Sequence, residues 1–328
     1  MTGCSDDGSV SADDETDTVT SASGTSDIPG ASTSEPSPTT GQAEATSDPT
    51  LETATEVSVT SDATDSGNDG SSTGAPVPMP EGIYVSITEG ADSNAGTAEE
   101  PVRTIAQGTT LAVEAGFGFV YVAAGDYEMN SDDNDVVEVV EGVSLRGGFD
   151  AADWNDWDPS THVTRLVDGG SSGAGFNPQT PHRALFVPAE VTEATSVEGF
   201  SIEAAAVANA AAVVAEGAAT LRHNVLLGGG ELFSTALFLR ESAARVEFNR
   251  IDGVSAPPDQ PAFGVRASGG APTLVGNEVR SGEGFNSRAV LLTDAAGVLA
   301  SNHIVAEAGT GGGGRAVELS SSTTALLS

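Results

Sequence analysis

A six-residue pattern, apolar-x-x-Asn-x-apolar, recurs through the C-terminal half of the chain and limits its fold more than any other feature. It runs from Leu221 to Leu226 around Asn224, from Val246 to Ile251 around Asn249, from Leu274 to Val279 around Asn277 and from Leu299 to Ile304 around Asn302. Val197 to Ile202 fits as well, with Phe200 in the asparagine place. The starts at 197, 221, 246, 274 and 299 lie 24, 25, 28 and 25 residues apart. A second apolar stretch follows in each unit: Ala212 to Val214, Ala236 to Leu239, Phe263 to Val265, Ala289 to Leu292 and Ala316 to Leu319. Gly-rich turns of unequal length separate these stretches, and stacked repeats tolerate insertions in their turns.

Helical repeats of this length fit poorly, because the apolar runs are short, β-branched and bounded by glycine. The pattern predicts an all-β chain wound as a right-handed parallel β-helix, each coil about 4.8 Å above the last. A buried asparagine suits such a coil. It tolerates the left-handed turn conformation, and its amide both donates and accepts, so stacked side chains bond along the column.

Charge gives an independent test of the register. Successive coils read Glu198, Arg222, Glu247 at the second place and Arg250, Glu278, His303 at the fifth. Asp252 is followed by Arg280, and Glu216 by Arg240. Opposite charges on adjacent strands contribute about 0.2–1 kcal/mol each. Arg240 over Arg266 is the exception in this alignment. The inward columns (Val197, Leu221, Val246, Leu274, Leu299 and Ile202, Leu226, Ile251, Val279, Ile304) are apolar throughout.

Residues 1–80 differ in kind. They are rich in Ser, Thr, Asp, Glu, Ala, Gly and Pro, and through Glu81 they hold 16 acids and no base. Too little apolar surface is present to offset the entropy of ordering, so a disordered acidic linker is expected. Residues 81–328 are the expected β-helix domain. Thr324 to Ser328 reads as the start of a further coil.

Composition excludes several functions. The chain carries 12 basic residues, all arginine, against 48 acidic ones, for a net charge of −36. No general basic surface for a nucleic-acid backbone is expected. One Cys among 328 residues makes no internal disulfide and no Cys-rich zinc site. Without lysine there is no Schiff-base or phosphate-loop lysine. No apolar run approaches the roughly 18 residues of a membrane-spanning helix.

Between the linker and the repeats, Ile83 to Ser86 reads as a strand. A helix is expected from about Ile105 to Ala115, burying Ile105, Ala112 and Ala115, with Gly108 costing about 1 kcal/mol inside it. Asp92 and Asn94 are expected to cap the loop before this helix. Phe119 to Tyr127, Val136 to Val140 and Val143 to Phe149 are further strands or strand and turn. The loop Asp92-Ser93-Asn94-Ala95-Gly96-Thr97, the helix start Pro101-Val102-Arg103-Thr104-Ile105, the strand Val120 to Tyr127 and the turn Gly147-Gly148-Phe149-Asp150 occur in that order. Together they resemble the entry segment of bacterial extracellular proteins of the pectate-lyase-like β-helix superfamily, which often carries a domain of unknown function. The resemblance runs from about residue 82 to 200 and implies a helix capping the open end of the solenoid. At the N-terminus, Met1-Thr2-Gly3-Cys4 resembles the cleavage box of a bacterial lipoprotein. That resemblance implies lipidation of Cys4, a membrane contact made only through that anchor, and an outer-membrane, cell-surface or secreted location.

Candidate site residues are few. Asp132, Asp133 and Asp135 flank Asn134 in an acidic loop whose alternate oxygen ligands suit calcium. Trp154 and Trp157, in a long turn, offer rings for stacking on carbohydrate, although packing over the barrel also accounts for them. His162, His182, His223 and His303 lack metal-ligand spacing. The arginines are scattered among opposite charges, and no columns of Asp supply the converging carboxylates a glycosidase needs. The expectation is a non-enzymatic structural or adhesive surface protein that binds polysaccharide or another envelope component, with no cofactor beyond calcium. The alternative is a calcium-assisted polysaccharide lyase or glycoside hydrolase acting on acidic polysaccharide.

Overall fold

The computed structural model describes residues 79–129, 135–168, 182–229, 233, 235–257, 259–307 and 313–327. The expected linker, with Cys4, lies outside the described residues apart from Met79 and Pro80. The described chain is a parallel β-solenoid with a single helix near its start. Three sheets form its walls.

The first wall has ten strands, running in order from Ile83–Val85 through Phe119–Ala123, Ser144–Asp150, Ser196–Glu198 and Thr220–Arg222 to Ala325–Leu327. The second and third walls have seven strands each, from Gly125–Met129 to His303–Val305 and from Asp135–Glu138 to Arg315–Ser320. Val197, Leu221, Val246 and Leu274 pair in line up the first wall, and Ile202, Leu226, Ile251 and Val279 up the second. All eight are at most 1% exposed and join one continuous core.

The hexapeptide is two strands and a corner, not one strand. Thr220–Arg222 ends the first wall and Val225–Leu227 begins the second. The corner is made by the residue before the asparagine, which takes the left-handed conformation: Gly199, His223, Phe248, Gly276 and Ser301 have φ between 53° and 79°. The asparagine that follows turns inward. Asn249 Nδ2 donates to Leu221 O at 2.9 Å and to Asn277 Oδ1 at 3.0 Å, while Asn249 Oδ1 accepts from the backbone N–H of Asn224 at 2.9 Å. Asn224, Asn277 and Asn302 repeat the arrangement. The ladder therefore satisfies the backbone groups that a corner takes out of the sheets. Its lower end is Phe200, whose backbone N–H donates to Asn224 Oδ1.

Charges follow the walls. Arg222 contacts Glu198 at 3.2 Å, Arg165 bridges Asp126 and Glu203, and Arg240 donates to Glu216. Arg280 reaches Glu278 at 2.7 Å and Asp252 at 3.9 Å. The expected juxtaposition of Arg240 and Arg266 does not occur: Arg266 pairs with Phe238, and Arg240 with Ser268.

The helix, Ile105–Ala115, packs on the core side of the first strands. Thr104 caps it by accepting from Gln107 N–H, and Gly116, at φ 72°, closes it. Asp92 Oδ1 accepts from the N–H groups of Arg103 and Thr104, and Asn94 Nδ2 donates to Pro101 O, so both hold the preceding loop. Ile105, Gly108, Thr109 and Ala112 are buried, whereas Ala115 is exposed along with Val113 and Glu114, because the last turn runs past the core. Gly108 has a packing role: a Cβ there would lie 2.5 Å from Val85 Cγ2.

One excursion breaks the winding. Asp153–Trp157 folds back antiparallel onto Ser144–Asp150, where a turn alone was expected. Asp150 Oδ1 accepts from Ala152 N–H to make the reversal, and the Trp157 indole N–H donates to Gly147 O at 2.7 Å. The hairpin covers a second small core of Tyr121, Ala123, Phe149 and Trp154 on the outer face of the first wall.

Candidate functional site

The corner between the first and second walls is where side chains of unusual placement collect. The left-handed corner position is cheap for glycine and costs a bulky residue about 1–3 kcal/mol. In the coils of Gly199 and Gly276 it is glycine; in the two coils between it is His223, φ 54°, and Phe248, φ 53°. These two rings stack, with centroids 5.7 Å apart and planes 12° from parallel. Phe248 is 55% exposed, so its ring is not held there by burial. It lies over Gly276, where a Cβ would meet the ring at 2.6 Å.

On the other side, the loop after the hairpin packs down on the corner. Pro159 touches Gly148 and Gly199 closely enough that a Cβ at either would clash or crowd. Asp158 fixes the loop by accepting from the Ser160 and Thr161 hydroxyls, which hold its carboxyl down at about 2. Between loop and corner lie two adjoining depressions of about 280 and 400 Å³. Pro159, Ser160, His223 and Val225 line both; Trp157, Phe248 and Arg250 bound the second. The result is a shallow groove with exposed ring faces and polar edges on a rigid wall. Such a surface can stack on a flat apolar face and hydrogen-bond around it.

Trp157 and Trp154 have different surroundings. The Trp154 ring is 8% exposed and packs edge-on against Tyr84 at 4.8 Å, its N–H donating to Ala98 O. Trp157 is half-buried at the groove edge, with the Arg146 guanidinium 3.9 Å over its ring. Of the proposed calcium ligands, Asp132 and Asp133 lie outside the described residues; Asp135 opens the strand Asp135–Glu138.

A different set of metal-ligating atoms gathers near the groove. Asp150, Asp156 and His162 each bring a ligand atom within 4.8 Å of the others. Two carboxylates and an imidazole suit zinc or manganese better than calcium. The groups also serve each other and the turn: His162 Nε2 lies 3.1 Å from Asp156, and Asp150 holds the hairpin reversal. Sequence spacing hid this cluster, because a hairpin and the loop after it bring its members together. The pairing of Phe248 with His223 was hidden for a similar reason, the two being 25 residues apart and adjacent only when coils stack. The available signal was a bulky residue at a repeat place that holds glycine in neighbouring coils.

A family described as a protein of unknown function, DUF1565, matches residues 88–320, which run from the loop before the helix to the last strand of the third wall. The chain belongs to this family. The DUF1565 match therefore includes the hairpin, the corner column and the whole asparagine ladder. No curated protein matches the sequence.

Proposed function

We propose that this DUF1565 chain is a non-enzymatic polysaccharide-binding protein of the pectate-lyase-like β-helix kind, held at the cell surface by a lipid on Cys4. The observation that carries the binding role is the exposed Phe248–His223 stack, kept in a strained conformation beside the Trp157–Pro159 loop. An exposed aromatic pair offers a flat apolar face for a ligand ring. Two wall carboxylates lack the raised pKa of a glycosidase's general acid. Arg280 holds Glu278, and Arg288 and Arg315 hold Glu318, below the usual carboxylate range. A glycosidase acid needs the opposite shift.

Affinity electrophoresis through gels containing single plant or microbial polysaccharides tests the reading. Phe248→Ala should weaken binding about two- to tenfold, the scale of one aromatic contact worth about 0.5–1.5 kcal/mol. Phe248→Gly should lose the same binding yet be at least as stable as the native chain, since it also relieves the corner. Unchanged mobility of both variants would refute the groove, and release of unsaturated oligosaccharide with added calcium would refute the non-enzymatic assignment. Mass spectrometry of the N-terminal peptide from native membranes tests the anchor, and an unmodified Cys4 would remove it.

A further inference from the structure

The hairpin that leaves the first wall gathers carboxylates that no arginine answers. Asp150, Asp153, Asp156 and Asp158 fall within nine residues, and no arginine lies between Arg146 and Arg165. On the walls, acids meet guanidiniums: Glu198 meets Arg222, Glu203 meets Arg165, and Glu318 meets Arg288 and Arg315. Among the described residues no arginine forms an ion pair with Asp150 or Asp156. The group beside them is His162, and one ligand atom from each of the three lies within 4.8 Å of the other two. The three come from different segments. Asp150 ends the wall strand Ser144–Asp150, Asp156 sits on the returning strand Asp153–Trp157, and His162 lies in the loop beyond it. Phe149 pairs with Trp157, so the residues next to them, Asp150 and Asp156, adjoin across the hairpin. His162 is placed by its own turn. Its backbone N–H donates to Asp158 O at 2.7 Å, and the Asp158 carboxylate accepts from the Ser160 and Thr161 hydroxyls. The imidazole is mostly buried, with 20% of its side chain exposed.

We propose that Asp150, Asp156 and His162 bind a divalent transition ion of the zinc type, which ties wall strand, hairpin and loop together. His162 Nε2 and Asp156 Oδ2 lie 3.1 Å apart. Two ligand atoms each about 2.0–2.2 Å from one ion stand about 3–3.5 Å apart, so this pair already has the separation required. The Asp150 carboxylate uses Oδ1 to accept from Ala152 N–H and has Oδ2 for the ion. An imidazole nitrogen beside two carboxylates suits zinc, whereas calcium takes oxygen ligands alone. Three protein ligands leave a fourth position to water. The site shares no side chain with the groove and does not depend on what the groove binds.

Isothermal titration calorimetry of the full chain, first stripped of metal with a chelator, tests this. Zinc is added in excess calcium, which occupies the other carboxylates of a chain with 48 acidic residues. Native protein should take up one zinc. His162→Ala should weaken that binding at least about tenfold. Asp150→Asn, which keeps the Oδ1 acceptor for Ala152, should weaken it as much. Zinc should also slow amide exchange across residues 150–162 in the native chain and not in the variants. If His162→Ala is poorly folded by circular dichroism, Asp156→Asn, whose side chain is 55% exposed, replaces it with the same expectation. No zinc uptake in excess calcium, uptake unchanged in the variants, or exchange across 150–162 that zinc leaves as it was overturns the proposal. A thiolate absorption band from the cobalt-loaded chain would put the ion on Cys4 and overturn it equally.

Discussion

Replacing Asn249 by alanine tests the device that holds the corner together. Asn249 is 2% exposed and lies between Asn224 and Asn277. Its loss leaves two groups with nothing in its place: the Asn224 backbone N–H, bonded to Asn249 Oδ1 at 2.9 Å, and the Leu221 carbonyl, bonded to Asn249 Nδ2 at 2.9 Å. Asn224 Nδ2 keeps Val197 O, and Asn277 Oδ1 keeps the Asn249 backbone N–H, so those two are not orphaned. Each buried orphan costs about 1–3 kcal/mol, which puts the expected loss near 4 kcal/mol. The same change at Asn302 is the control. Asn302 also serves one backbone N–H and one carbonyl, but it is half-buried, so water replaces part of what is lost. A loss nearer 1–2 kcal/mol is expected there. Urea unfolding followed by circular dichroism gives both values. Amide exchange of Asn224 gives a local readout that survives if the solenoid unfolds in stages. A loss below about 1 kcal/mol for Asn249→Ala, or one no larger than for Asn302→Ala, would refute the claim that the ladder repays the corner.

Two other changes follow from the packing and the charges. Gly108→Ala gains helix propensity of about 1 kcal/mol but drives a Cβ into Val85 Cγ2 at 2.5 Å, on a stiff β-branched side chain. Overpacking costs about 1–3 kcal/mol, so the variant should melt lower, and a higher melting temperature would mean the helix lies looser on the sheet than its contacts indicate. Asp158 has its pKa held down at about 2 by the hydroxyls and backbone of Ser160 and Thr161, against about 3.9 when unfolded. Its contribution is therefore complete above about pH 4 and disappears as the pH falls to about 2. The difference in melting temperature between native protein and Asp158→Asn should close over that window, and a difference that does not change with pH would remove Asp158 as the clasp of the loop.

The columns of the solenoid were legible in sequence because each coil repeats the same physical demand. An inward place must be apolar in every coil, and the asparagine place must both donate and accept, so Leu221, Asn224 and Leu226 predict their partners above and below. Where the demand can be met by different residues, the sequence is silent. The corner needs a left-handed residue, but Gly199, His223, Phe248, Gly276 and Ser301 all meet that need, and no shared identity marked the break between two walls. The third wall illustrates another limit. Aligning Arg240 with Arg266 slips that strand by two residues from the observed pairing of Arg240 with Ser268. A slip of one would have turned the core residues outward and betrayed itself, whereas a slip of two preserves inside and outside. Loops of unequal length before each third-wall strand remove the count that would have fixed it. The error placed Arg266 over a like charge, when its neighbour in the column is Phe238. An arginine stacked on a phenyl ring is visible only after the coils are put in register, because the two residues lie 28 apart in the chain and meet only through the stacking of coils.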